Sequence, residues 1–213
     1  MKYDDLVRKL GKQGWFDFPT LVQLSGEKRH SLQVQVYRWL RAGKLLTLRR
    51  GMYALPERYR RTPVNPVLLA NRIYAPSYLS CHWALGYHGM IPERVVEFTS
   101  VTTRRPQRFE NGFGTFSYRH IKQPAFFGYR REEVDGSSVS IAKPEKALLD
   151  LWHLEQGPWT RERMIEMRFQ SCERVHAETM IRYAERYDSP RLLAATHVWL
   201  DVARERGEEG VEL

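Results

Sequence analysis

Two cysteines, Cys81 and Cys172, are too few to build a disulfide framework, so a reducing cytoplasm is the expected compartment. No apolar run approaches the ~20 residues that cross a bilayer, and no membrane partner is expected. The opening residues, Met1-Lys2-Tyr3-Asp4-Asp5, lack the apolar core of a secretory signal. There is no Gly-x-x-x-x-Gly-Lys-Ser/Thr loop to cradle a nucleotide and no Gly-x-Ser-x-Gly elbow to present a nucleophilic serine. A metal-dependent nuclease, the enzyme alternative for a basic chain, commonly needs a Glu-x-Lys or Asp-x-Lys to hold Mg²⁺ and place water. No Asp or Glu is followed two positions later by lysine. Structural zinc wants four ligands in paired short spacings. Cys81, His82 and His88 are too few, the other cysteine is far along the chain, and the two histidines do not fall on one helical face. The expectation is therefore a non-enzymatic protein with no catalytic residue, cofactor or metal.

Acid is scarce in one part of the chain only. Residues 1–61 carry fourteen Lys/Arg against five Asp/Glu, whereas residues 62–213 carry twenty of each. The whole net charge of +9 thus sits in the first quarter. Charge that segregated marks a face meeting a polyanion, because each phosphate neutralised releases condensed counterions. A solvated basic surface without a partner is the alternative.

The pattern inside this quarter favours the polyanion. Tyr3 to Gly14 reads as a short amphipathic helix with Leu6, Val7 and Leu10 at helical spacing. Pro19 suits the first turn of a second helix that Ser25-Gly26 ends. Arg29 to Arg41 places Leu32, Val36, Trp39 and Leu40 on one face, and Gly43 follows as a left-handed cap. Lys44–Leu48 and Met52–Leu55 are short apolar strands around Arg49-Arg50-Gly51. Helix, glycine turn, helix and β-hairpin is the layout of a winged helix-turn-helix, whose second helix enters the major groove. Lys28, Arg29, His30 and Gln33 at the start of that helix are the candidates to read bases, since arginine grips guanine and glutamine adenine in two-pronged fashion. Tyr37, Arg38, Lys44, Arg49 and Arg50 are the candidates for phosphates.

A proline- and arginine-rich stretch near Pro56–Pro66 marks the expected boundary. The reading is a winged helix over residues 1–58, a linker over 59–66 and a mixed α/β body over 67–213, hence an α+β protein. Within the body, helices are expected at Asn65–Arg72 and at Ser80–His88, the latter capped by Ser77 or Ser80. Strands are expected at Val96–Thr102, Gly114–Arg119, Gly128–Arg130 and Val139–Ile141, then a helix from Pro144. Arg161–Phe169, Glu173–Arg186 and Pro190–Arg206 are read as a helical cap. Arg104, Arg105 and Arg108, with Arg119 and His120 near them, form a candidate second basic patch or a solvated sheet face. Glu145 and Lys146 are read as serving helix-start chemistry and packing, so that their loss costs stability modestly.

The run Ser77-Tyr78-Leu79-Ser80-Cys81-His82-Trp83-Ala84-Leu85-Gly86-Tyr87-His88-Gly89-Met90-Ile91-Pro92-Glu93 resembles the AbiEi antitoxin family, from type IV abortive-infection toxin–antitoxin systems of bacteria. The likeness continues through Thr99–Thr103 and Phe116–Ile121 and closes with Ile141–Asp150. It covers about residues 77–152 with a winged helix in front, and it fades after about residue 155. The resemblance implies an autoregulating transcriptional repressor that binds inverted repeats in double-stranded DNA at its own promoter. It also implies an antitoxin that opposes a nucleotidyltransferase-like toxin, without a stable complex being required. The alternative is a stand-alone winged-helix transcription factor whose larger domain binds a ligand or another protein.

Overall fold

The computed structural model describes residues 1–209, with side chains through Arg206. The chain is α+β. It opens with α1 (Tyr3–Leu10), β1 (Trp15–Asp17), α2 (Phe18–Ser25), α3 (Arg29–Arg41), β2 (Leu46–Arg49) and β3 (Met52–Ala54). There follow α4 (Pro66–Ile73), β4 (Ser77–Leu79), α5 (Cys81–Tyr87), β5 (Phe98–Thr102), β6 (Gln107–Asn111), β7 (Gly114–His120), β8 (Tyr129–Val134) and β9 (Ser137–Ala142). The chain continues with α6 (Pro144–Leu154), α7 (Arg161–Glu166), α8 (Ala177–Arg186) and α9 (Pro190–Glu209). No described helix is long and apolar enough to cross a membrane.

The first helices form where their sequence signals sit. Asp17 accepts a hydrogen bond from the Thr20 amide at 2.9 Å, with proline in the first turn of α2. Gly26 closes α2 at φ 67°, a conformation that strains any residue with a Cβ. The three helices bury Leu6, Leu10, Phe18, Leu21, Leu32 and Val36 together. β1, β3 and β2 form an antiparallel sheet in that order.

β3 faces two cores at once. Its alternation turns Tyr53 towards the three helices, while Met52 and Ala54 join the core of the larger body together with Leu48 of β2. Polar contacts reinforce the seam: Asn111 donates to the Leu48 carbonyl at 3.0 Å, and Arg49 Nε donates to the Ile73 carbonyl at 2.6 Å. The stretch expected as a linker over 59–66 is folded onto both sides. The Arg61 amide donates to the Gly11 carbonyl, Arg60 lies over the Phe113 ring and Val64 is buried. The expected boundary is thus a packed seam.

The larger body is built on a six-stranded mixed sheet, order β6-β7-β5-β4-β9-β8. Tyr118 and Ser100 sit on one face, where the Tyr118 hydroxyl donates to the Ala70 carbonyl of α4. Val101 and Tyr78, one position along, face α5 and α6. α8 and α9 pack on α6, and α7 packs on α9. Ser80 occupies the N-cap position of α5 but directs its hydroxyl to Asp150 and makes no capping bond, and Ser77 lies in β4. The helix expected over Arg161–Phe169 ends at Glu166, with Arg168 in a left-handed conformation.

Candidate nucleic-acid interface

Arg29, Gln33 and Tyr37 recur every four residues along α3 and so share one exposed stripe. That stripe lines a groove of about 620 Å³ whose other wall is the hairpin turn, with Arg49, Arg50 and Tyr53. The start of α2 forms the groove's end, and the Arg29 guanidinium is held 5.2 Å above the Phe18 ring. Tyr37 is 61% exposed, a large aromatic surface left open on the groove wall. Asp17 is the one carboxylate of the lining, and its oxygen is committed to capping α2.

The other candidates separate from this groove. Lys28 is the N-cap residue of α3, and His30 and Arg38 lie exposed on its neighbouring side. Lys44 is drawn inward, its ammonium 5.0 Å from the centre of the Tyr3 ring. Arg49 spends its guanidinium on the carbonyls of Ile73 and Arg50. It braces the hairpin against the larger body, and Arg50 is left as the exposed cation of the turn.

In the second candidate patch Arg104, Arg105 and Arg108 are all exposed, but their engagements differ. Arg108 is neutralised between Glu97 at 3.5 Å and Glu110 at 3.7 Å. Arg104 lies over the Tyr74 ring at 4.2 Å and donates to the Ala75 carbonyl at 3.0 Å. Arg105 is exposed, while Arg119 donates to the Leu154 carbonyl and His120 contacts the Arg104 carbonyl. A second groove, about 600 Å³, runs past Arg108, Arg119, His82 and Glu155 and mixes both signs of charge.

A constellation that the sequence reading missed lies between β4, α6 and the end of α8. Asp150, fully buried, accepts from Tyr78 at 3.0 Å and from Ser80 at 2.6 Å on one oxygen, and from Lys146 and Tyr187 on the other. The Lys146 ammonium also donates to the Tyr187 hydroxyl and is ringed by Tyr78, Phe127 and Tyr187 at 5.6, 5.0 and 4.5 Å. Burial holds the Lys146 pKa below its ordinary value, and burial beside Asp150 pushes both tyrosines up. Burial likewise pushes the Cys81 thiol up, so it is no ready nucleophile despite opening α5 at φ 52°. His82 approaches Glu155 at 3.9 Å, whereas His88 contacts the Ala142 carbonyl at 2.8 Å. The one helical signal for the buried cluster was the i, i+4 spacing of Lys146 and Asp150.

No protein-family model and no curated protein sequence matches the chain.

Proposed function

We propose that this protein is a sequence-specific DNA-binding transcriptional regulator whose first 58 residues act as a winged helix. The observation that carries the reading is the α3 stripe of Arg29, Gln33 and Tyr37 facing Arg50 across an open groove, in a segment holding the chain's entire net charge. α3 would enter the major groove, Arg29 and Gln33 reading base edges, with Arg50 on a flanking phosphate. Because the hairpin is pinned to the larger body, DNA would meet a rigid frame and little ordering cost would oppose binding. Binding rather than catalysis is supported by the state of the reactive groups: the Lys146–Asp150 cluster is closed and saturated, and the Cys81 thiol is held protonated.

The finer reading is an autoregulating antitoxin of the AbiEi kind, supported by the sequence blocks between residues 77 and 152 alone. Rescue of cells from the neighbouring gene's product on co-expression tests it. For the DNA reading, the test is the full chain titrated with duplex DNA from upstream of its own gene. The affinity is expected to fall by orders of magnitude between about 50 and 200 mM salt. Salt-independent binding, or none at low salt, overturns the proposal.

A further inference from the structure

Most arginines of the larger body are committed. Arg108, Arg130, Arg161, Arg163 and Arg168 pair with carboxylates, and Arg104, Arg119, Arg191 and Arg206 donate to backbone carbonyls. Arg72 and Arg131 have neither an ion pair nor a side-chain hydrogen bond among the described residues, as is also true of Arg94, Arg105, Arg174, Arg186 and Arg204; what sets these two apart is that both line one pocket of about 300 Å³ where α4 meets β4, β8 and β9. No carboxylate lines it. Two cations that share an uncompensated concavity raise its potential and favour an anion there.

The pocket is also built to stay open. The Asn71 side chain clamps α4 to β9, accepting from the Ser140 amide at 2.6 Å and donating to the Ser140 carbonyl at 3.3 Å. Ser77 lines the pocket too, and its hydroxyl is buried without a hydrogen-bond partner, a cost that a ligand oxygen reached by a rotamer change would relieve. Beside these polar groups stands Tyr129, 38% exposed and held flat by stacking on Tyr78 at 4.5 Å and 15°. A fixed aromatic plane next to a cationic, hydroxyl-bearing pocket suits a flat ring carrying a phosphate.

We propose that this pocket is a binding site for a small phosphomonoester bearing a flat ring, of mononucleotide size, with Arg72 and Arg131 on the phosphate and Tyr129 against the ring. The site is independent of the DNA-reading groove, since none of its lining residues belongs to the first 58.

Calorimetric titration of the full chain with adenosine monophosphate, inorganic phosphate and adenosine tests it. Saturable binding is expected for the monophosphate, weaker binding for phosphate and none for adenosine at concentrations up to about 10 mM. Arg72→Gln with Arg131→Gln should weaken monophosphate binding by at least about tenfold, the worth of one charge-assisted hydrogen bond, while duplex affinity stays unchanged. Ser77→Ala should also weaken it, yet raise the melting temperature by removing a buried hydroxyl without a partner. No saturable binding of the monophosphate overturns the proposal, as does binding indifferent to the double variant. A double variant that loses duplex affinity instead places the two arginines on the DNA surface and overturns it as well.

Discussion

Two helices of this protein are rich in polar side chains and use them in opposite ways. On α3, Arg29, Gln33, Tyr37 and Arg38 stand exposed. On α6, Glu145, Lys146 and Asp150 are buried, and each has a partner inside the protein. Polar groups saturated inside the fold are part of what holds it together, and those left in water are available to something else. The buried set should therefore govern stability and the exposed set affinity. Asp150→Ala leaves the Lys146 ammonium uncompensated in the core, and a loss of about 3–5 kcal/mol is expected in urea unfolding. Lys146→Met combined with Asp150→Leu should recover much of that, because a well-packed apolar pair replaces the ion pair without orphaning a charge. A loss under about 1 kcal/mol for Asp150→Ala would mean that the cluster is wet.

For Lys146 the burial favours packing over helix-start chemistry, and a larger effect than the modest one is expected of its loss. Glu145 fits helix-start chemistry better than Lys146 does, but on another helix: its carboxylate accepts from the His176 amide at 3.1 Å, at the start of α8.

The comparison extends to the seam between the two units. Tyr53 belongs to the core of the three helices, and Met52, its neighbour in β3, to the core of the larger body. Met52→Ala opens a cavity in the second core and should cost about 2–5 kcal/mol. Hydrogen exchange should show protection falling in α4 and β7 as well as in β3. A loosely linked pair of domains would instead keep the larger body's protection intact. An isolated fragment of residues 1–62 would expose Leu48, Met52 and Ala54, so DNA binding is better measured on the full chain.

Where periodicity or a turn signal spans enough residues, the fold is legible in the sequence. α3 occupies the expected Arg29–Arg41, and Asp135-Gly136 turns β8 into β9 with both residues at positive φ. β1 and β4 escape because three residues show no alternation. β6 escapes because an edge strand exposes most of its side chains. The candidate groove is half legible. Helical spacing places Arg29, Gln33 and Tyr37 together, but that Arg49 braces the hairpin depends on a carbonyl 24 residues away. The Asp150 cluster gathers partners up to 72 residues apart, beyond any local pattern. The blocks that carry the family resemblance cover β4, α5, β5, β7, β9 and the start of α6, the centre of the larger body. Such residues record packing more than partners.

On the exposed side of the comparison, Arg29→Ala or Gln33→Ala should cost about 1–3 kcal/mol on a cognate site and little on random duplex. Stability should change by no more than about 0.5 kcal/mol, since neither side chain is buried. Arg50→Ala should weaken both DNAs alike and lower the salt slope by about one. Equal losses on both DNAs for all three variants would remove base reading from α3.

The smallest expected effect lies in a histidine. His88 is buried at the end of α5, and its Nε2 must donate to the Ala142 carbonyl, which can only accept, so in the neutral ring Nδ1 is the unprotonated nitrogen. Burial lowers its pKa below the ordinary 6.5, with Arg130 and Arg174 pushing the same way and the Ala142 bond and Glu132 opposing. A base whose folded pKa is depressed contributes its full stability above the unfolded value and loses it as the unfolded chain takes up the proton on acidification. The decline should begin near pH 6.5 and steepen below it, at no more than about 1.4 kcal/mol per pH unit for one proton. His153, also lowered by burial and packed against Tyr187, adds in the same direction. Melting curves between pH 7.5 and 5.5, in about 0.15 M salt to screen the surface pairs, should therefore show a falling midpoint that His88→Gln makes shallower. An identical slope in that variant would assign the acid sensitivity to His153, which lies on α6, carrying the contrast between the two helices into the pH dependence of the fold.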